Sequence, residues 1–148
     1  MKDLGIAPRQ RFLGFDHIDT RVSSLHLVER FYDRLMPLLG LTRKRFAHVD
    51  EHGDFLDVDE RDRYDAVEYY APRTPGAAAF FIGFIERADT PPTLTRIAFR
   101  VENIADWIEP LIEAGACNVE SSEDMSEYPA IFFEDPAGTK LELVARHG

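Results

Sequence analysis

The chain contains two copies of one short motif, and an internal repeat restricts a fold more than any single stretch does. His17-Ile18-Asp19-Thr20-Arg21-Val22 lines up with Arg96-Ile97-Ala98-Phe99-Arg100-Val101, 79 positions later. Each copy alternates in the period of a half-buried strand, and each runs directly into a helical pattern. The copies differ in one chemically decisive place. A histidine opens the first and an arginine opens the second.

In the first half a strand is expected over 12–22. Ile18, Thr20 and Val22 fall on one face, His17, Asp19 and Arg21 on the other. Ser23 or Ser24 can cap the helix that follows, where Val28, Phe31, Tyr32, Leu35 and Leu39 recur at helical spacing. Pro37 tightens the last turn and Gly40 supplies the stop. Residues 42–49, 65–71 and 78–85 read as three further strands, with turns at His52-Gly53-Asp54 and Pro72-Arg73-Thr74-Pro75-Gly76. A polar, proline-containing linker occupies 86–93. The pattern then restarts with a strand over 95–101. Asn103 and Asp106 form a variant capping box, and Ile104, Trp107, Ile108, Leu111 and Ile112 form the apolar stripe of a helix that Gly115 ends. Pro110 falls inside that helix. Strands follow at 117–121, 130–134 and 139–145, the last two joined by the turn Asp135-Pro136-Ala137-Gly138. The reading is α+β, two βαβββ modules over 12–86 and 94–146 within one domain spanning 1–148.

Composition narrows the partners. A formal net charge of -10 disfavours nucleic acid and anionic membranes. Much of it is local, in Asp50-Glu51, Asp57 to Asp65 and Glu120 to Glu127, which read as solvated loops and edges. No apolar stretch is long enough to span a bilayer, and the start Met1-Lys2-Asp3-Leu4 lacks a signal-peptide core. The lone Cys117 excludes an intrachain disulfide and fits a reducing cytoplasm. It reads as a small core residue, and Trp107 as helix core. His26 is expected on a helix surface and His147 in a frayed tail. The stretch His48-Val49-Asp50-Glu51-His52-Gly53-Asp54 is rich in metal-ligand types, but it reads as strand end plus turn, where His-x3-His does not converge. The acidic run 57–65 lacks the central Gly and terminal Glu of a calcium-binding loop.

Four segments together resemble a known family. They are Phe15-Asp16-His17-Ile18, the helix Phe31-Tyr32-Asp33 through Leu38-Leu39-Gly40-Leu41, the repeat strand Arg96 to Val101, and Asp135-Pro136-Ala137-Gly138-Thr139-Lys140-Leu141-Glu142. The chain resembles the vicinal oxygen chelate superfamily over nearly its whole length. That group includes glyoxalase I, extradiol dioxygenases, fosfomycin-resistance proteins and bleomycin-binding proteins. The resemblance implies paired βαβββ modules forming a half-open curled sheet, often completed across a homodimer. It also implies metal ligands on the first and last strands of each module. Carried over, these positions are His17 and Glu142, with Arg96 where the family usually has His. Aligning Thr139 to Leu143 with Ala79 to Gly83 makes Ile82 the fourth.

The chemistry of that set disfavours a metal. A catalytic ion generally needs three protein ligands with open positions. Arginine stays protonated and cannot ligate. At ~4 Å and an effective dielectric near 20, its charge opposes a dication by about 8 kcal/mol before screening. A buried Glu142 needs a partner, which could be a metal, Arg96 or His17. Alternation places Phe80, Ile82 and Phe84 in the cup with His17, Asp19, Arg96, Ala98, Arg100 and Glu142, apolar walls around a few polar groups.

The expectation is therefore a glyoxalase/bleomycin-resistance-like protein whose cup binds a small organic molecule, anionic ones included, without a cofactor. As an enzyme it would use His17 as acid/base and Arg96 as an anion clamp. The alternative is a metal-dependent lyase or dioxygenase holding Zn, Ni, Mn or Fe at His17 and Glu142. Arg96→His should raise the affinity for Ni, Co or Zn at that position. Unchanged binding in titration calorimetry would remove Arg96 from the site.

Overall fold

The computed structural model describes residues 1–7, 17–72, 75, 80–91 and 96–145, with Arg96 described by its backbone only. The first module runs β1 (His17–Val22), α1 (Leu25–Leu38), β2 (Arg43–Val49), β3 (Phe55–Val58), β4 (Ala66–Tyr70) and β5 (Phe81–Glu86). The second runs β6 (Arg96–Arg100), a 3-10 turn (Ile104–Trp107), α2 (Ile108–Ala114), β7 (Cys117–Ser121), β8 (Ala130–Glu134) and β9 (Lys140–Val144). The sheets are ordered β1-β5-β4-β2-β3 and β6-β9-β8-β7. In each, the first strand lies parallel to the last, and the remaining pairs are antiparallel. The repeat seen in the sequence is thus a repeat of topology, with one addition.

That addition is β3, which the sequence reading left inside an acidic loop. Phe55–Val58 pairs with Phe46–Val49 as an edge strand. Asp57 is tolerated there because an edge strand exposes side chains to water, and it meets Arg45. The sequence reading of 12–22 as β1 holds over His17–Val22, and 12–16 lie outside the described residues.

Helix ends depart from expectation in instructive ways. Ser24 occupies the N-cap of α1 but makes no side-chain cap bond. The Glu86 carboxylate of β5 accepts from the Leu25 amide instead, at 2.7 Å, placing negative charge at the positive end of the helix. Asn103 likewise makes no cap bond and takes φ 52°, ahead of a 3-10 turn. Pro110, unexplained by sequence, is the third residue of α2. An amide there has no partner within an α-helix, so the ring removes nothing.

One apolar core runs through both modules. Val28, Phe31, Tyr32, Leu35 and Met36 of α1 pack with Val67, Tyr69, Ile82 and Phe84 of the first sheet. The same core includes Leu111 and Ala114 of α2 and Ile131, Phe133, Leu141 and Leu143 of the second sheet. Each of the large side chains contributes on the order of 1.5–3 kcal/mol by burial. Trp107 packs at the edge of this core and donates from its indole to the Glu102 carbonyl at 3.1 Å. Ile112, assigned to the core stripe, is 58% exposed, and Cys117 is exposed rather than buried. Ile112 lies off the face that α2 turns inward. Cys117 sits on β7, the outer strand of its sheet.

A polar bond crosses this core. The Tyr32 hydroxyl donates to Asp135 Oδ2 at 2.7 Å, and both residues are fully buried. Asp135 Oδ1 accepts from the amides of Ala137 at 2.9 Å and Thr139 at 2.8 Å. Burial, then the Asp135 charge, push the Tyr32 phenol well above its ordinary range, so it stays a donor. Tyr32→Phe should lower unfolding stability by about 1.5–3 kcal/mol, the range for a hydrogen bond to a charged group. A urea transition shifted by much less would mean that Asp135 is satisfied without it.

Candidate functional site

Each sheet turns one face to the helices and the other away from them. On the helix-free face, strand register aligns side chains into rungs. In the first sheet one rung is His17, Phe81, Tyr70 and Arg43, and the next is Asp19, Gly83, Glu68 and Arg45. In the second sheet the equivalent rungs are Lys140 and Glu134, at the level where the β6 backbone carries residue 96, then Ala98, Glu142, Phe132 and Glu120.

The upper rung of the first sheet is aromatic. The His17 ring stacks on Phe81 at 4.4 Å and 8°, and Phe81 stacks on Tyr70 at 4.5 Å and 22°. The lower rung is ionic. Glu68 is only 2% exposed, yet its carboxylate is satisfied by Arg45 Nη1 at 2.8 Å and the Tyr70 hydroxyl at 2.5 Å. Burial, followed by this bond to Glu68, pushes the Tyr70 phenol up to about 12. Arg45 also binds Asp57, and that bond holds its guanidinium pKa above the usual value. An open depression of about 410 Å³ lies over Arg45, Asp57 and Val58 at this edge.

Gly83 and Asp19 interlock. A Cβ built on Gly83 would overlap Asp19 Oδ1, and it would lie 3.5 Å from Glu68 Cγ. The Asp19 carboxylate therefore occupies the space that a side chain at position 83 would fill. His17 Nε2 lies 3.6 Å from Asp19 Oδ2, too long for a hydrogen bond.

In the second sheet, Glu142 is 5% exposed and accepts from the Tyr128 hydroxyl at 2.5 Å. Tyr128 comes from the loop between β7 and β8. Its carbonyl accepts from Ser122 Oγ at 2.5 Å, and its amide donates to the Asp124 carbonyl at 2.9 Å. The sequence reading missed Tyr128, because nothing local ties a loop tyrosine to a strand carboxylate. An open cavity of about 260 Å³ adjoins Asn118, Glu120, Phe132, Glu134 and Lys140 on this face.

The structure sorts the residues singled out from sequence. His17 and Asp19 lie together on the helix-free face, as expected, and Glu142 lies on the corresponding face of the other sheet. Arg100 is exposed at the end of β6. Phe80 precedes β5 and packs half-buried against the main core. Ile82 and Phe84 require correction. Both are fully buried on the helix side, with Phe84 stacked on Tyr32 at 3.7 Å. Phe81, Gly83 and Ile85 face the other way. The alignment had slipped by one residue, and in a strand one residue exchanges the two faces. Asp19 pairs with Gly83 as Ala98 pairs with Glu142, so Gly83, not Ile82, is the counterpart of Glu142.

The four positions implied by the family resemblance do not fit a catalytic metal. Gly83 offers no donor, arginine at 96 cannot ligate, and one oxygen of Glu142 is engaged by Tyr128. Among the described residues no three His, Cys, Asp or Glu side chains converge as a metal site would require. The Arg96–Glu142 ion pair considered from sequence involves a side chain outside the described set.

The interlock makes a thermodynamic prediction. Gly83→Ala should destabilise the wild-type chain by about 0.5–1.5 kcal/mol, the cost of turning the partly exposed Asp19 side chain out of its rotamer. In an Asp19→Ala background the same change should be neutral or stabilising by up to about 1 kcal/mol, since alanine suits a strand better than glycine. Equal effects in both backgrounds, measured by urea unfolding, would refute the interlock.

No protein-family model and no curated protein matches this chain. Solved structures do. A glyoxalase/bleomycin resistance protein from Albidiferax ferrireducens is 17% identical, with 89% of this chain and 98% of that one covered, at a TM-score of 0.55. A glyoxalase family protein from Enterococcus faecalis is 21% identical, with 90% and 98% covered and a TM-score of 0.54. The fosfomycin resistance protein FosX from Listeria monocytogenes is 16% identical, with 93% and 94% covered and a TM-score of 0.53. At such identities the likeness is one of architecture. The chain has the α+β fold of these glyoxalase/bleomycin-resistance and fosfomycin-resistance structures.

Proposed function

We propose that this is a glyoxalase/bleomycin-resistance-like protein that binds a small organic molecule against its helix-free faces, with the family's chelate site dismantled. One observation carries this reading. The Asp19 carboxylate fills the space over Gly83, so the corner where the family resemblance implies a metal ligand holds a different polar group instead. Beside it, the stack of His17, Phe81 and Tyr70 supplies apolar surface, and apolar walls with a few placed polar groups are what small-molecule sites need. In an enzymatic version of this reading, His17 is the acid/base and Arg96 the anion clamp.

The same reading includes a homodimer and a cytoplasmic location. The two sheets are not paired to each other, while α1 and α2 pack together within one chain. A second copy could therefore close the first sheet of one chain over the second sheet of the other. The single, exposed Cys117 suits a reducing compartment.

The test is metal content by mass spectrometry on tag-free protein purified without chelator, followed by thermal shifts with Zn, Ni, Mn and Fe(II). Glu142→Ala is the control, and sedimentation reports the assembly. The expected result is no stoichiometric metal and no metal-dependent stabilisation in a dimeric protein. Near-stoichiometric metal that disappears in Glu142→Ala would replace this reading with a metal-dependent lyase or dioxygenase using His17 and Glu142.

A further inference from the structure

The two sheets present the same rung with its parts exchanged. In the second sheet the first strand carries a small residue, Ala98, and the last strand carries the acid, Glu142. In the first sheet the first strand carries the acid, Asp19, and the last strand carries the small residue, Gly83. Between β1 and β5 the acid of one strand leans over the glycine of its neighbour. A Cβ on Gly83 would meet Asp19 Oδ1, so the glycine leaves that space to the carboxylate.

Glu68, the next acid along the rung, is closed off. Arg45 and Tyr70 take its two oxygens, and it is 2% exposed. Asp19 keeps 32% of its side chain exposed, two residues along β1 from His17 and beside the aromatic stack. A carboxylate is an acceptor only. It favours ligands that bring N–H donors, and it repels ligands that bring a second carboxylate.

We infer that Asp19, seated by Gly83, is the specificity-determining residue of the site, accepting hydrogen bonds from an amide or amidinium group carried by a planar ligand. This rests on the small-molecule reading above without the anion clamp of its enzymatic version, and departs from the anionic ligand expected from sequence. Gly83 is the positioning residue, acting only through the space it leaves.

Three probes share one ring and differ in the group they offer. Benzamidine and benzamide bring N–H donors, and benzoate brings a carboxylate. Each is titrated into the full-length, nitrogen-15-labelled protein while backbone amide shifts are followed. Benzamidine and benzamide should shift the amides of residues 17–19 and 81–83, and benzoate should not. Asp19→Asn should weaken benzamidine about tenfold, the scale of one charge-assisted hydrogen bond. Asp19→Ser is run alongside, so that a folding defect in one variant does not leave the question open. Benzoate binding at this rung, shifts confined to other parts of the chain, or unchanged benzamidine affinity in both variants would overturn the assignment while leaving a small-molecule site standing. No binding by any of the three probes would overturn the small-molecule reading together with it.

Discussion

The buried carboxylate of Asp135 is the point on which the two modules turn. It closes the tight turn between β8 and β9 through the amides of Ala137 and Thr139, and it receives the hydroxyl of Tyr32 from the helix of the other module. A fully buried charge is tolerated only when hydrogen bonds replace the water it loses, and here they do. The turn fixes how β9 pairs with β8. That pairing sends Leu141 and Leu143 into the core and leaves Glu142 on the opposite face. The bond to Tyr32 ties this register to α1, which in turn packs on Phe84 and the first sheet.

With both sheets held this way, their helix-free faces can be compared rung by rung. The first sheet offers aromatic stacking at one level and an ionic line of Asp19, Glu68, Arg45 and Asp57 at the next. The second places Phe132 where the first has Glu68, and Glu142 where the first has Gly83. Two equivalent frames thus carry different chemistry. A fold of this kind fixes where side chains are displayed and leaves their identity free, so unrelated reactions recur on it. Inference about this chain therefore has to rest on Asp19, Gly83 and Tyr128, not on the architecture.

Much of the fold could be read from the chain because the signals were local. The alternation from His17 to Val22, the helical spacing from Val28 to Leu35, and the turn Asp135 to Gly138 each lie within a few residues. The added strand β3 escaped because its four residues include Asp57, which looks like part of an acidic loop until Arg45 is placed opposite it. The site was less legible. His17, Asp19 and Glu142 were assigned to the correct face, whereas Ile82 and Phe84 were assigned to the wrong one. Their strand follows the run Ala77-Ala78-Ala79 and is itself apolar from Phe80 to Ile85, so hydrophobicity marks both faces alike and the pattern could not fix its phase.

The sequence by itself determined the twofold repeat, the α+β class, the element order outside β3, and that Arg96 stands in the second copy where the first has His17. All of these follow from spacing along the chain or from the identity of a single residue. Tertiary structure decided which residues share a rung, and so decided that Gly83 rather than Ile82 answers to Glu142. It also decided that Glu86 caps α1, that Tyr128 holds Glu142, and that Tyr32 reaches Asp135. Each of those depends on strand register or on a contact between residues distant in sequence. Such pairs are selected by the packing of the whole core, so no local pattern encodes them.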